Sequence, residues 1–487
     1  MSKPFYITTT LPYVNAAPHI GFAFELVSAD IIARHKRLAG YEVFFNTGTD
    51  EHGVKVFRKA KEEGKDPQTY VDEYAKKYRA LLSALGISPS VHFIRTTDAA
   101  HKKAAQELWK RSFNAGDIYK KKYRIKYCVG CELEKTESEL ENGHCQVHPH
   151  LDIEIIEEEN YFFRLSAYQE RLLAFYEEHN DFVVPPFRLN EMRSLIRGKG
   201  LEDFSISRLK AKMPWGVPVP GDSEQVFYVW FDALVSYISA LGWPDDEASF
   251  RKWWIETGGV VQFAGKDQIR QQAVMWQAML MSASLPPSKQ IVIHGFIQSG
   301  GEKMSKSLGN VIDPFALVKE YGTDAVRFYL ARHVASFEDS DFTLEKFKEA
   351  YNADLANGIG NLVARILQMS NQYVSNPIKF PDTFYNSDNL SGEGKAVLTH
   401  LHKFELNNAV FVLWNWMQHL DILIQDGKPF EVAKTNKIAA EKQLIYLLQQ
   451  LAEITVLLEP FMPETSRRIK TAIKANKKPE NLFPRKE

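Results

Sequence analysis

Residues 5–53 read FYITTTLPYVNAAPHIGFAFELVSADIIARHKRLAGYEVFFNTGTDEHG, and the fold is decided here. Phe5, Tyr6 and Ile7 open a β-rich run that breaks at Leu11-Pro12-Tyr13. Beyond the loop to Pro18, a helical pattern runs from about Ile20 to Leu38. Phe24, Val27, Ile31 and Leu38 are among its apolar positions, basic residues fill its last turn, and Gly40 stops it. Tyr41 to Phe45 is the next strand, and it runs into Gly48-Thr49-Asp50-Glu51-His52-Gly53. Strand, loop, helix and strand in that order imply a right-handed crossover and a parallel sheet. Ligands of such sheets bind in the loops at the carboxyl ends of the strands. His19-Ile20-Gly21 heads the helix, where free N–H groups and the positive dipole end attract phosphate. Gly21 lets a ring or ribose approach the backbone, and His19 can donate to phosphate oxygens. Taken alone, a histidine at a helix start more often does only local work.

At 487 residues the chain exceeds one compact core, so about two to four domains are expected. An apolar content of 45% and a charged content of 25% are those of an ordinary globular protein. A net charge of −1 gives no global sign of a nucleic-acid partner, so any such contact must come from local patches. Three cysteines exclude a disulfide scaffold and fit a reducing compartment. No apolar run reaches membrane-spanning length, and MSKPFYITTT leaves no room for a signal or transit peptide. A cytoplasmic protein is expected.

Residues 301–310, GEKMSKSLGN, set Lys303 and Lys306 three apart in a loop closed by Gly309-Asn310. Such a loop can swing, and its two ammonium groups can bear on one polyanion. All three cysteines lie in one short segment, where Cys128-Val-Gly-Cys131 precedes Cys145-Gln-Val-His148. A Cys₃His set is a closed tetrahedral donor set that suits Zn²⁺ and leaves no open position for chemistry. His144 and His150 are nearby, so spacing favours His148 without making it the sole candidate.

Pro18-His19-Ile20-Gly21 and Lys303-Met304-Ser305-Lys306-Ser307 together resemble the paired signatures of the class I aminoacyl-tRNA synthetases. The motifs between them resemble one family within that class, the methionyl-tRNA synthetases. These are Leu11-Pro12-Tyr13, residues 48–53, Tyr161 to Leu165, Gly200 to Arg208 and Tyr228 to Ala233. The resemblance runs from residue 5 to about 465. It implies an α/β fold. A Rossmann-like parallel-sheet nucleotide-binding domain (1–117 and 223–300) would carry an inserted domain at 118–222 with a zinc knuckle at 128–148. The lysine loop and stem-contact region would span 301–350, and a C-terminal α-helical bundle for the anticodon 351–487. The insertion is too short for an editing site, which argues against the isoleucyl, leucyl and valyl relatives.

The same resemblance implies a methionine pocket of Leu11, Tyr13, Trp230, Ala233, Leu234, Tyr237 and Gln272, with Asp50 on the substrate ammonium. ATP, with Mg²⁺, would meet Pro18, His19, Gly21, Gly265, Lys266, Asp267, His294, Gly295, Lys303, Ser305 and Lys306. His19, Lys303 and Lys306 would stabilise an in-line attack of the methionine carboxylate on the α-phosphorus. Asn361 and Arg365, one helical turn apart, and Phe430 after Pro429 would read the anticodon of methionine tRNA. Three positions depart from the family pattern: Phe22 replaces a polar residue, Gln272 a histidine and Phe430 a tryptophan. The appended oligonucleotide-binding domain of some relatives is not expected, which favours a monomer. Three other readings compete with this one. The cysteinyl enzyme uses its zinc as a substrate ligand, which a closed Cys₃His set does not allow. A catalytically silent tRNA-binding paralogue would fit the three departures but not the intact lysine loop, His19 and Asp50. A nucleotidyltransferase sharing His-Ile-Gly needs neither a helix bundle nor a methionine pocket.

Overall fold

Pro4–Thr8 lies inside a six-stranded sheet whose strands all run parallel. The order across it is His92–Arg95, Glu42–Thr49, Pro4–Thr8, Val261–Gly265, Gln290–His294 and Val183–Val184. The computed structural model describes residues 2–131, 133–135, 139–304, 310–375, 378, 385 and 390–487, without the side chains of 123, 125, 133, 134, 156 and 303.

The expected first helix spans Ile20–Leu38, with His19 as its N-cap and His35, Lys36 and Arg37 in its last turn. Thirteen of its residues are buried, because it is covered both by the sheet and by C-terminal helices. The second strand, Glu42–Thr49, reaches four residues beyond the apolar run Tyr41 to Phe45. Gly48 permits this: a Cβ there would stand 1.9 Å from the carbonyl oxygen of Ile94 on the adjoining strand.

The apolar run Val226 to Trp230, inside the span 223–300 expected to belong to the parallel-sheet domain, does not join the main sheet. Asp222–Phe227 pairs antiparallel with Ser207–Leu209 and Pro218–Val219 in a separate three-stranded sheet, and Val229–Ala233 is a short helix. Trp109 stacks on Phe227 at 4.9 Å, so the run is apolar because it is buried. An apolar run of that length has the same appearance in either setting. Val183–Val184, from within 118–222, instead forms an edge of the main sheet.

Ile118–Cys128 and Glu154–Phe163 form a long antiparallel ribbon, and the cysteine segment sits at its tip. Beyond Pro314 the chain is largely helical, with Asn361–Tyr373, Leu406–Gly427 and Lys437–Leu458 among its longer helices. Arg327 joins this part to the first helix. Its fully buried guanidinium lies 2.9 Å from Asp30 and donates to the carbonyl oxygens of Leu85, Pro460 and Phe461. Among the described residues, no helix is long and apolar enough to cross a membrane.

Candidate active site

The loops after the first two strands are drawn together by backbone bonds. Asp50 N donates to the Pro12 carbonyl at 3.0 Å, and Val14 N donates to the Asp50 carbonyl at 3.1 Å. Leu11, Tyr13 and Asp50 therefore come to one wall. Opposite stand Trp230 and Ala233 from the short helix, Leu234 and Tyr237 after it, and Gln272 from the π-helical turn Arg270–Met275. All eight line a single cavity of about 560 Å³ outside the carboxyl ends of the strands. Asp50 is buried, and its neighbour Glu51 is clamped by Arg95 at 2.7 and 2.9 Å and by the Thr49 hydroxyl at 2.6 Å.

Of the three departures, Gln272 is buried and its Oε1 accepts from Gln262 Nε2 at 2.8 Å. Phe22 packs against the cluster around Tyr78 and meets that ring edge-on at 5.5 Å. Phe430 is 41% exposed and follows Lys428, whose φ of 39° is left-handed, and Pro429, the first residue of its helix.

At the head of the first helix, His19 Nδ1 accepts from Gly21 N at 3.1 Å. A Cβ on residue 21 would stand 2.9 Å from the imidazole, so this cap needs glycine. Surrounding protein desolvates the His19 ring and lowers its pKa, although the residue stays accessible. With Nδ1 accepting, the neutral ring carries its proton on Nε2 and presents a donor. Asp267 lines the cavity, whereas Lys266 pairs with Asp339 at 2.7 Å.

His294 does not line the cavity. Its Nδ1 lies 2.8 Å from the Gly295 carbonyl and its Nε2 2.9 Å from Glu25. Burial opposes its charge, but the hydrogen bond to Glu25 and that carboxylate's charge raise its pKa overall. The other Glu25 oxygen accepts from the backbone N (2.6 Å) and hydroxyl (2.7 Å) of Thr10. This buried brace across three elements had no local sequence signal. Gly295 allows a close crossing, for a Cβ there would lie 2.2 Å from the Glu338 backbone. Lys303 ends a two-residue strand paired with Ile297–Ser299. Ser305 and Lys306 lie outside the described residues.

Cys128, Cys131, Cys145 and His148 form a potential metal site, with one donor atom from each lying within 4.8 Å of the others. Cys131 Sγ is 3.5 Å from Cys145 Sγ and 3.2 Å from His148 Nδ1, which in turn is 3.9 Å from Cys128 Sγ. A tetrahedral zinc site with thiolate ligands has edges of about 3.8 Å, so the set fits that ion. His144 instead lies 3.4 Å from the Leu151 carbonyl, and neither it nor His150 belongs to the set. Gly130, Cys131, Lys135, Val147 and His148 also line the cavity described above, a placement the sequence reading missed.

Far from the cavity, Asn361 is exposed and Arg365 forms an ion pair with Asp421. Their helix packs against Pro429–Thr435, which carries Phe430.

A family model described as tRNA synthetases class I (M) matches residues 5–145 and 129–367. The methionine–tRNA ligase of Thermotoga maritima is 41% identical over 484 residues, 98% of this chain and 76% of that protein. The methionine–tRNA ligase of Thermosynechococcus vestitus is 48% identical over 383 residues, 78% of this chain and 71% of its own. The solved Mycobacterium tuberculosis methionyl-tRNA synthetase in complex with methionyl-adenylate superposes with a TM-score of 0.88 at 37% identity. That superposition covers 100% of this chain and 99% of the other.

Proposed function

The chain belongs to the class I methionyl-tRNA synthetases, and from that premise we propose how its residues carry the reaction. The enzyme activates methionine with ATP to methionyl-adenylate, releasing pyrophosphate, and transfers the methionyl group to the 3′ adenosine of methionine tRNA. The observation that carries the residue roles is the single cavity holding a buried carboxylate, Asp50, beside the aromatic faces of Tyr13, Trp230 and Tyr237.

Asp50 accepts the substrate ammonium as a charge-assisted acceptor, and the thioether packs among the rings with Leu11, Ala233 and Leu234. Gln272 closes the far end through its bond to Gln262. Packing alone discriminates by about 1–3 kcal/mol per methylene, so a shaped, largely preformed cavity is what selectivity requires. The triphosphate lies along the head of Ile20–Leu38, near Pro18, with His19 Nε2–H donating and Gly21 leaving room. Gly265, Lys266, Asp267 and Gly295 position the nucleotide at the strand ends, and His294 does so indirectly through Glu25. Lys303, Ser305 and Lys306 bear on the phosphates, together with Mg²⁺. The step is an in-line displacement at the α-phosphorus, catalysed by placement and charge stabilisation without a covalent enzyme intermediate.

Cys128, Cys131, Cys145 and His148 would hold Zn²⁺, which would supply rigidity to the ribbon tip and no chemistry. Asn361, Arg365 and Phe430 read the anticodon, Phe430 by stacking. We take the five segments 1–117, 118–222, 223–300, 301–350 and 351–487 as the working domain division, and the protein as a cytoplasmic monomer.

Amino-acid-dependent ATP–pyrophosphate exchange with each standard amino acid and Mg²⁺ tests this reading. Exchange with methionine alone supports it. Exchange with another amino acid keeps the fold and overturns the specificity. Its absence in folded, zinc-loaded protein favours a silent tRNA binder.

A further inference from the structure

Behind the methionine pocket lies a fully buried hydrogen-bonded cluster with no direct access to substrate. The Asp232 carboxylate takes one imidazole on each oxygen: His52 Nδ1 lies 2.6 Å from Oδ2, and His101 Nε2 lies 3.0 Å from Oδ1. The side chains of Asp232, His52 and His101 are 1%, 2% and 0% exposed. The second ring nitrogen of His101 lies 2.8 Å from the Ser239 hydroxyl. Three of the four side chains stand within two residues of a pocket wall. His52 follows Asp50 by two, Asp232 follows Trp230 by two and adjoins Ala233, and Ser239 follows Tyr237 by two. His101 belongs to the helix Ala99–Asn114 and supplies the anchor from outside the pocket.

We propose that Asp232, acting through His52 and His101, is a positioning residue for methionine recognition, holding the Asp50 loop at a set distance from the Trp230 face. The inference rests on the methionine-activating reading above. Its physical basis is that a buried carboxylate cannot leave its donors without a heavy desolvation penalty. The loop and the short helix, which have no strand pairing to each other, are therefore locked together by the buried hydrogen bonds between them. A pocket whose selectivity depends on shape needs its two walls held to a fraction of an ångström. A purely structural cluster would stabilise the fold without bearing on one substrate more than the other.

The experiment is pyrophosphate exchange on Asp232→Asn and Ser239→Ala, varying methionine and ATP separately. Binding of methioninol, which keeps the amine, is compared with binding of 4-(methylthio)butanoate, which lacks it. Asp232→Asn is expected to raise KM for methionine by about ten-fold or more while KM for ATP moves less than about two-fold. Methioninol affinity falls alongside, and 4-(methylthio)butanoate affinity falls less. Ser239→Ala shifts KM for methionine the same way by about two- to three-fold, and it decides the matter where Asp232→Asn does not fold. An unchanged methionine KM in a folded variant, or equal changes for both substrates, overturns the inference alone. Absence of methionine-dependent exchange in the unaltered protein overturns the functional reading and this inference together.

Discussion

Lys55 Nζ donates to the carbonyl oxygen of Gly130 at 3.0 Å, tying the helix that follows the Asp50 loop to the tip of the cysteine ribbon. The same ammonium lies 6.0 Å from the centre of the Tyr13 ring, so one side chain touches both pocket wall and knuckle. Gly130 is itself pressed against His148: a Cβ there would stand 2.5 Å from the imidazole. The potential metal site is thus part of the cavity's roof.

Removing the metal should accordingly loosen methionine binding as well as the ribbon. Dialysis against a chelator, followed by metal analysis and pyrophosphate exchange, should show a raised KM for methionine that zinc restores. Lys55→Met should raise that KM by about three- to ten-fold with metal content unchanged, the size of one lost charged hydrogen bond. A KM that ignores both treatments would detach the knuckle from the pocket.

Asp50→Asn should raise KM for methionine by about thirty- to a hundred-fold and leave KM for ATP near its starting value, because a charge-assisted bond becomes a neutral one. Steady-state exchange with each substrate varied in turn checks it.

His35 sits where the first helix meets the C-terminal half, with Nδ1 2.9 Å from the Tyr385 hydroxyl and the His402 ring centre 5.0 Å away. Burial, helped by the charges of Lys36 and His402, pushes its pKa down to about 3. The unfolded chain binds a proton near its ordinary value of about 6.5, so between those values the unfolded state holds more protons. The His35 contribution is complete above that ordinary value and is lost as pH falls toward 3. Lowering the pH from 7 to 5 should reduce the unfolding free energy by about 1–2 kcal/mol through this group. Chemical denaturation at the two pH values, repeated on His35→Gln, should show a smaller difference in the variant.

Arg365 is held by Asp421 in the free protein, with Gln425 donating to the other carboxylate oxygen at 3.1 Å. Arg365→Gln should leave methionine-dependent exchange within about two-fold and raise KM for tRNA in aminoacylation by about ten-fold, the usual scale of one lost base-reading contact. A loss of exchange in this variant would show that Arg365 acts on the fold instead of the tRNA.

The Arg327–Asp30 pair is fully buried, and Arg34 and Ser88 share the same carboxylate. Arg327→Ala should destabilise the protein by about 3–5 kcal/mol, since Asp30 and three carbonyl groups lose a buried donor. Arg327→Met combined with Asp30→Asn should recover part of that loss. Urea denaturation of the single and double variants checks both statements.

What the chain revealed before folding was local. The helix Ile20–Leu38 declared itself through 3.6-residue periodicity and a basic final turn, and the knuckle through pairs of donors with two residues between them. The eight positions proposed to hold methionine were legible only because their motifs resemble a family, and the structure gathers all eight around one cavity. Tertiary structure alone decided that Val226 to Trp230 leaves the main sheet, that Val183–Val184 joins its edge, and that the knuckle roofs the pocket. It also paired His52 with Asp232 across 180 residues and Arg327 with the first helix. Periodicity and ligand spacing reflect forces between residues a few positions apart, which the order of the chain already contains. Buried ion pairs and the choice between two apolar faces depend on which distant surface arrives to exclude water, and that is settled only when the chain closes on itself.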